Sequence, residues 1–485
     1  MHHNSNKRRT RVRLTLTYSM MGLAVVGAVT VLVLILQGYR FNRYDGKVEQ
    51  GGLVQFDSRP SGATVELDDV ALSAKTASKL TVSVGAHTVT MTKDGYTSWS
   101  KSVTVKAGGV LWLNYARLYP KNPVVSTSAT YDAVSAALVS PNRKQVVTLG
   151  VSNQAVFYVT PLNDDKPQTQ RVTIASDKLT AASDATSVSF GLVAWDQDSQ
   201  YVIVRHNFDS KTEYLSLNVS DGTTVNVTKV LGVDISKVEY VIGDHNAVYV
   251  LNTAHEVRRG DLAAATISGP LLSGVADFAQ ADRSTITYET VRANDGSRSV
   301  GYLTNGASRP RTVHTVNNDG TSTLKFRIGT YYGDHFLVLA YGDTTTIYTA
   351  DVPSSDSSSS LSWKRVGWLA TPGGVRYLGF SPETKRFVYA QMASTAATYD
   401  LETDVVAKVT FQGQLSRELE WVDDFHIGST ANSESYFYDF DGTNGRAVAA
   451  NVLDIPSTIS ENEKYFFYFT ADGPKVALKR VQLVN

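Results

Sequence analysis

The chain has no cysteine, so it can hold no disulfide framework, thiol nucleophile, thiolate zinc site or lipidated cysteine. It has no excess of either charge, since Lys plus Arg and Asp plus Glu both number 46. Five of the cations (Lys7, Arg8, Arg9, Arg11 and Arg13) lie in the first 13 residues, which hold no acid, leaving 41 of the 46 to face all 46 acids in the rest of the chain. A mildly acidic body argues against a nucleic-acid partner, which calls for a clustered basic surface. Also missing are a metalloprotease His-Glu pair, a phosphate-cradling glycine loop and a nucleophile elbow, and the nine histidines form no pair at helical metal spacing. No catalytic residue, metal site or cofactor is therefore expected. Long stretches of helical period are scarce. Tyr (25) and Phe (17) are plentiful beside Val and Thr, a composition that favours strands.

What is present begins with an apolar run. Residues 14–39 are 26 in a row without a charge, and Met20 to Leu36 is almost purely apolar. Roughly 20 such residues span a bilayer as a helix. A cleaved secretion signal has an apolar stretch of only about 7 to 15 residues and then a small-residue site. Here Leu32, Val33, Leu34, Ile35 and Leu36 run straight into Gln37, Gly38, Tyr39 and Arg40. Residues 14–39 are expected to form a retained transmembrane helix, with 1–13 a basic cytoplasmic tail and 40–50 a linker. Beyond the span, Arg40, Arg43 and Lys47 are offset by Asp45 and Glu49. The contrast with the tail predicts a cytoplasmic N-terminus and an extracytoplasmic body, a single-pass protein of the cell membrane.

Residues 51–118 alternate apolar and polar side chains in short runs broken by Gly, Pro and Asp, which predicts half-buried antiparallel strands. Leu53, Val54 and Phe56 open the first run; Arg59-Pro60-Ser61-Gly62-Ala63 turns it, and Thr64 to Asp68 follow. Val84-Gly85-Ala86-His87 and Lys93-Asp94-Gly95-Tyr96 make two further turn-to-strand steps. This order resembles the PEGA domain, a small β-sandwich module of exported and surface-associated bacterial and archaeal proteins, whose naming turn reads Pro60-Ser61-Gly62-Ala63 here. Thr76-Ala77 departs from the Thr-Pro that members often carry, so a less rigid loop is expected there. The resemblance implies an envelope module rather than a catalyst. His87 reads as a structural strand histidine, because no second ligand sits at metal spacing in its strand. Tyr96 and Trp99 read as packing residues rather than a sugar platform.

From residue 119 to 485 one pattern recurs: a tight polar turn leading into an aliphatic or aromatic strand. The turns fall at Ser140-Pro141, Trp195-Asp196, Gly243-Asp244, Ala281-Asp282, Tyr332-Gly333, Ser381-Pro382, Trp421-Val422-Asp423 and Ser460-Glu461. From Pro141 to Glu461 seven intervals cover 320 residues, a mean near 46. That period fits four-stranded propeller blades. The Ser-Pro turns resemble the Ser-Pro-Asp-Gly step of TolB-like propeller repeats. Eight blades are predicted, with a seven-blade ring or two packed sandwiches as competitors. The last blade has no sequence left for an outer strand, and Val124 to Thr127 are placed to supply it, closing the ring. Ser354 to Ser360 is expected to be a flexible hairpin insertion in the fifth blade.

Two clusters invite chemical readings and receive structural ones. Asp439, Asp441, Gly442, Thr443 and Asn444 look slightly like a calcium loop but lack its closing Glu, and an Asp-Gly turn accounts for them. Asp423, Asp424 and His426 sit on the repeated turn, so turn chemistry is the simpler account. The mainly β architecture, an N-terminal transmembrane helix, a PEGA-type sandwich and a propeller, resembles anchored PEGA-propeller proteins of bacterial cell envelopes. It implies a surface binding or scaffold protein meeting an envelope protein or glycan; the alternative is an exported propeller enzyme acting on envelope glycans or peptides. Ligand-binding candidates lie on loops joining second and third strands: Arg205, His206, Asp209 and Lys211 in the second blade, and Arg292, Asn294, Asp295 and Arg298 in the fourth. The Arg forks suit an acidic or polyhydroxylated partner.

Overall fold

The computed structural model describes residues 5–36, 39–41, 48–180, 187–307, 309–317, 322–351 and 363–484. The chain divides into two compact units, Met1–Asn122 and Pro123–Leu483.

In the first unit a single helix runs Ser5–Leu36, and its stretch Arg13–Ile35 is long and apolar enough to cross a membrane. At 1.5 Å per residue these 23 residues extend about 35 Å. No polar stripe interrupts them, and Leu23 (78% exposed) and Met20 (69%) meet no protein surface. Tyr39–Phe41 then pairs with Val48–Gln50 as a short antiparallel hairpin, Tyr39 opposite Gln50.

The sandwich that follows has a three-stranded sheet, Gly52–Arg59 between Ser78–Val82 and Val110–Arg117, facing a four-stranded one. Along Gly52–Arg59 alternate residues are buried, the period of 2 that a one-sided strand must show. Val54, Phe56, Val65, Met91, Trp99 and Leu113 form the core. Trp99 is fully buried, edge-on to Tyr115 at 5.8 Å, so it packs rather than presenting a platform. Gly62 takes φ +80° in the Pro60-to-Ala63 turn, a conformation that side chains resist. The Thr76 loop is pinned: its hydroxyl lies 2.6 Å from Ser58 Oγ and accepts from Ala63 N at 2.9 Å. His87 Nδ1 bonds Asp68 at 2.7 Å across the sheet and Nε2 lies 2.9 Å from Ser83 O.

The second unit is eight antiparallel sheets of four main strands each, a β-propeller of eight blades. In blades one to seven the strands follow one another in sequence order across the sheet. First strands of neighbouring blades lie against each other, as Ala136–Val139 does with Val188–Trp195 and Leu324–Tyr331 with Tyr377–Phe380, which places them around the axis. The eighth blade joins the chain's two ends: Thr458–Ile459, Tyr465–Asp472, Lys475–Gln482 and, outermost, Val125–Tyr131. Val125 pairs with Val481 and Tyr131 with Val476. Lys475–Gln482 is therefore the third strand of that blade. The seam is apolar, with Tyr131, Phe467, Phe469 and Leu478 packing on Ala137, Val146 and Leu162 of the first blade. Ser354 to Ser360 lies outside the described residues; the strands on either side of it, Thr344–Thr349 and Lys364–Ala370, pair as third and fourth strands of the fifth blade.

The repeated turns join first to second strands and form one rim of the ring, the turn rim. Their Ser and Asp side chains are there to satisfy backbone N–H groups that no strand partner reaches. Asp196 Oδ1 accepts from Gln200 N and Tyr201 N at 2.7 and 2.8 Å; Asp282 does the same for Ser284 N and Thr285 N. Asp423 Oδ1 accepts from Phe425 N and His426 N at 2.8 Å each, and Asp424 caps the sixth blade's turn at Glu383 N and Thr384 N. Arg143 of the first blade donates to Val422 O in the seventh at 2.5 Å and comes within 3.8 Å of Glu383 in the sixth. Thus the Asp423, Asp424 and His426 group is turn chemistry.

A candidate anion-binding site at the channel mouth

On the opposite rim, the mouth rim, first strands begin and second strands turn into third ones. A cavity of about 530 Å³ opens there, lined by residues of blades four, five and six: Glu289 and Arg298, then Thr323 and Lys325, then Arg376 and Tyr377, with Ser416 beside them. Lys325 lies on the first strand of its blade, Arg376 just before one, and Arg298 opens a third strand. Strand pairing and ring curvature together bring them to one place.

Arg298 Nη2 donates to Ser322 O at 2.5 Å, and Arg376 Nη1 to Leu415 O at 3.4 Å, so main-chain carbonyls orient both guanidinium groups. Among the described residues neither Lys325 nor Arg376 has a carboxylate within salt-bridge reach, whereas Arg327, one step deeper, lies 3.4 Å from Glu289 and 4.0 Å from Asp277. Burial pushes the Glu289 carboxyl above its usual range, although Lys325 and Arg327 pull it down. Among the described residues the one ion-pair partner of Glu289 is Arg327, which leaves Lys325 and Arg376 unmatched by it. Lys325 and Arg376 on a concave wall then leave a positive mouth suited to carboxylate, sulfate or phosphate groups. Further round the ring Lys237 sits 2.7 Å from Asp277 and 3.1 Å from Glu239, and Arg417 lies 3.1 Å from Glu420, so those cations are matched. Burial raises Glu420 to about 7. A second cavity of about 330 Å³, between blades three and four, has its Arg259 paired with Asp244 at 3.7 Å.

The candidates from the sequence separate. Arg205 and His206 belong to the second strand Tyr201–Phe208, and the connection after it is the two-residue turn Asp209-Ser210. The expectation of a long loop there is corrected: alternation continues through Phe208, so the strand does too. Arg205 is exposed, its guanidinium lying over Gly191, where an added Cβ would come within 3.5 Å of Nη2. His206 is 2% exposed, stacked on Phe190 at 4.5 Å, with Nδ1 bonded to Glu213 at 2.7 Å, so it meets no external partner. Glu213 also accepts from Thr180 N, Thr180 Oγ1 and Asn226 Nδ2, and burial opposed by these four bonds leaves its carboxyl at about 2. Arg292 and Asn294 are exposed on the longer fourth-blade connection, where Arg292 Nη1 donates to Gly296 O at 2.8 Å. Of these candidates, Arg298 alone lines the mouth cavity. Glu289, Lys325 and Arg376 were not anticipated, although charges on innermost strands (Lys237 and Glu239, Lys325 and Arg327) where apolar residues would be routine were the signal for them.

The architecture is that of a propeller protein with an apolar N-terminal helix. Its residues 52–119 match the PEGA domain family, so the sandwich is a PEGA domain. No curated protein matches the chain. Among solved structures it is similar to a chain of a mitotic checkpoint complex (TM-score 0.37, 11% identity, 76% of this chain and 93% of that one). An oligogalacturonate lyase in complex with manganese gives 0.43 and 11%, covering 68% and 96%. The Cps50 (Swd1) β-propeller domain of Myceliophteria thermophila gives 0.38 and 9%, covering 73% and 99%. The eight-blade assignment rests on strand order and the closing seam, not on these likenesses.

Proposed function

We propose that this protein is a membrane-anchored binding protein of the cell surface, whose propeller takes an acidic envelope component at its channel mouth. The helix Ser5–Leu36 is the anchor, the N-terminus is cytoplasmic, and the PEGA domain and propeller are displayed outside. The observation that carries the binding role is the mouth itself: Arg298, Lys325 and Arg376 converge on one cavity, and among the described residues its lining holds a single carboxylate, Glu289. Glycoside hydrolysis ordinarily calls for two carboxyl groups about 5 to 9.5 Å apart. The lining supports recognition of an acidic glycan or acidic protein segment over its cleavage.

The test uses the full chain in lipid vesicles. A uronic-acid polymer should be retained and its neutral counterpart should not, with retention weakening as salt rises, because exposed charge pairs are screened. Lys325→Glu with Arg376→Glu should abolish retention; Arg205→Ala should leave it intact. Retention that ignores the two reversals would overturn this placement, and release of cleaved product would overturn the binding role.

A further inference from the structure

One end of the PEGA domain carries exposed apolar side chains, and chain connectivity keeps that end next to the span. Val110 (51% exposed) and Trp112 (47%) sit on the outer side of the three-stranded sheet, and Val84 (53%) sits on the adjoining turn. The pairing register gathers them. Gly52–Arg59 runs parallel to Val110–Arg117, with Leu53 opposite Val110 and Gln55 opposite Trp112. Gly52 lies opposite Val82, so the Ser83-Val84 turn projects from the same end. The other end of the domain holds the Ser61-Gly62 turn and Lys93-Asp94, where Lys93 Nζ donates to Ser61 O and Asp94 is exposed.

The chain reaches the apolar end first. Fully extended, the residues between Leu36 and Gly52 would reach about 50 Å. Pairing of Tyr39 with Gln50 removes most of that length. What remains is three residue steps to Tyr39, one strand spacing across to Gln50 and two steps to Gly52, about 22 Å at most. Arg59, at the polar end, is a further seven steps, about 24 Å, along its strand.

We infer that the apolar end of the PEGA domain docks on the lipid interface of the membrane that the helix spans, with Trp112 seated at headgroup level and Val84 and Val110 beside it. The inference rests on the helix being a retained anchor, as proposed above. Trp favours that depth because its ring is apolar and its N–H is polar. The Asp68-Asp69 turn brings carboxylates to the same end, where Asp68 is bonded to His87, and exposed Lys106 on the turn before Val110 brings a cation there, so the end has no excess of positive charge. Attraction to anionic lipid is therefore not the driving force, and zwitterionic lipid suffices. The hairpin sets the tether, and the docked domain would hold the start of the propeller linker at a fixed height instead of letting it swing.

Because the chain has no cysteine, single introduced thiols report unambiguously. Val84→Cys and, separately, Asp94→Cys are labelled with an environment-sensitive dye in the full chain, reconstituted into phosphatidylcholine vesicles. The label at position 84 should shift to the blue and be quenched several-fold more by headgroup-level spin-labelled lipid than the label at 94. Raising salt should leave this difference in place. Adding Trp112→Ser to Val84→Cys should return the label to water without changing the melting curve. Equal access of aqueous iodide to both positions in vesicle-bound protein overturns docking while sparing the anchor. A chain that fails to float with the vesicles overturns the anchor, and this inference with it.

Discussion

The two rims of the propeller are made from the ends of the same strands, and they use their polar side chains in opposite ways. On the turn rim Asp196, Asp282, Asp423 and Asp424 are each committed to backbone N–H groups, and Arg143 reaches from its own blade to two others. On the mouth rim Lys325 and Arg376 face a cavity with no carboxylate within salt-bridge reach among the described residues. Side chains that repeat along the sequence are those the fold itself needs, because every blade must solve the same turn. Side chains that a ligand can use are those that break the repeat.

The largest effect that would break this comparison is loss of the ring. Deleting residues 475–485 removes the strand between Val125–Tyr131 and Tyr465–Asp472, and with it the buried Ala477, Leu478, Val481 and Leu483. Each buried Leu or Val is worth about 1.5 to 3 kcal/mol against a typical stability of about 5 to 15. The truncated protein should lose its cooperative thermal transition, and both rims should fail together; an unchanged Tm would rule out closure.

Two buried carboxyls come next, and they sharpen the contrast between saturated and half-matched groups. Glu213, with four donors, falls from 4.5 to about 2. A lowered folded-state pKa gives stability that is present above the unfolded value and lost as pH falls from about 4.5 towards 2, on the order of 3 kcal/mol in all. Glu420, where burial outweighs Arg417 and Ser457, rises from 4.5 to about 7. Its sign is opposite: stability is greatest below about 4.5 and declines as pH climbs towards 7. Denaturant melts across pH should show that Glu213→Gln flattens the acid limb and Glu420→Gln flattens the neutral one.

Smaller still, Asp424→Ala should cost about 1 to 2 kcal/mol through the uncapped Glu383 and Thr384 amides. Retention of the acidic polymer should not change, since the lost cap is on the other rim. Lys325→Glu with Arg376→Glu should do the reverse, abolishing retention while moving stability by no more than about 0.5 kcal/mol per site. If Asp424→Ala weakened retention as strongly as the mouth reversals, the two rims would not be separate in function.

The same distinction explains what could be read from the sequence. The helix, the Pro60-to-Ala63 turn, the eight blade turns and the closing strand all depend on local chemistry: a charge-free run, a glycine at positive φ, an Asp or Ser beside free amides. The mouth does not. Arg298, Lys325 and Arg376 are far apart in sequence and meet only because three blades curve around one axis. Arg205 and His206 are polar and so read as loop residues, yet they extend a strand, and His206 is polar for Glu213's sake. Polarity marks a loop only when nothing inside the fold needs it.

The two-ended eighth blade also sets a timetable for biogenesis. Val125–Tyr131 leaves the ribosome early, but Lys475–Gln482, the strand it must pair with, comes 344 residues after Tyr131. During that interval the first-made strand has an open edge, and no partial product can complete the ring. Non-local pairing of this kind is slow to form, and exposed strand edges attract other chains. The edge of Val125–Tyr131 therefore stays open until Lys475–Gln482 arrives, and a chain cut short before that strand is expected to remain a substrate for proteolysis instead of becoming a smaller propeller.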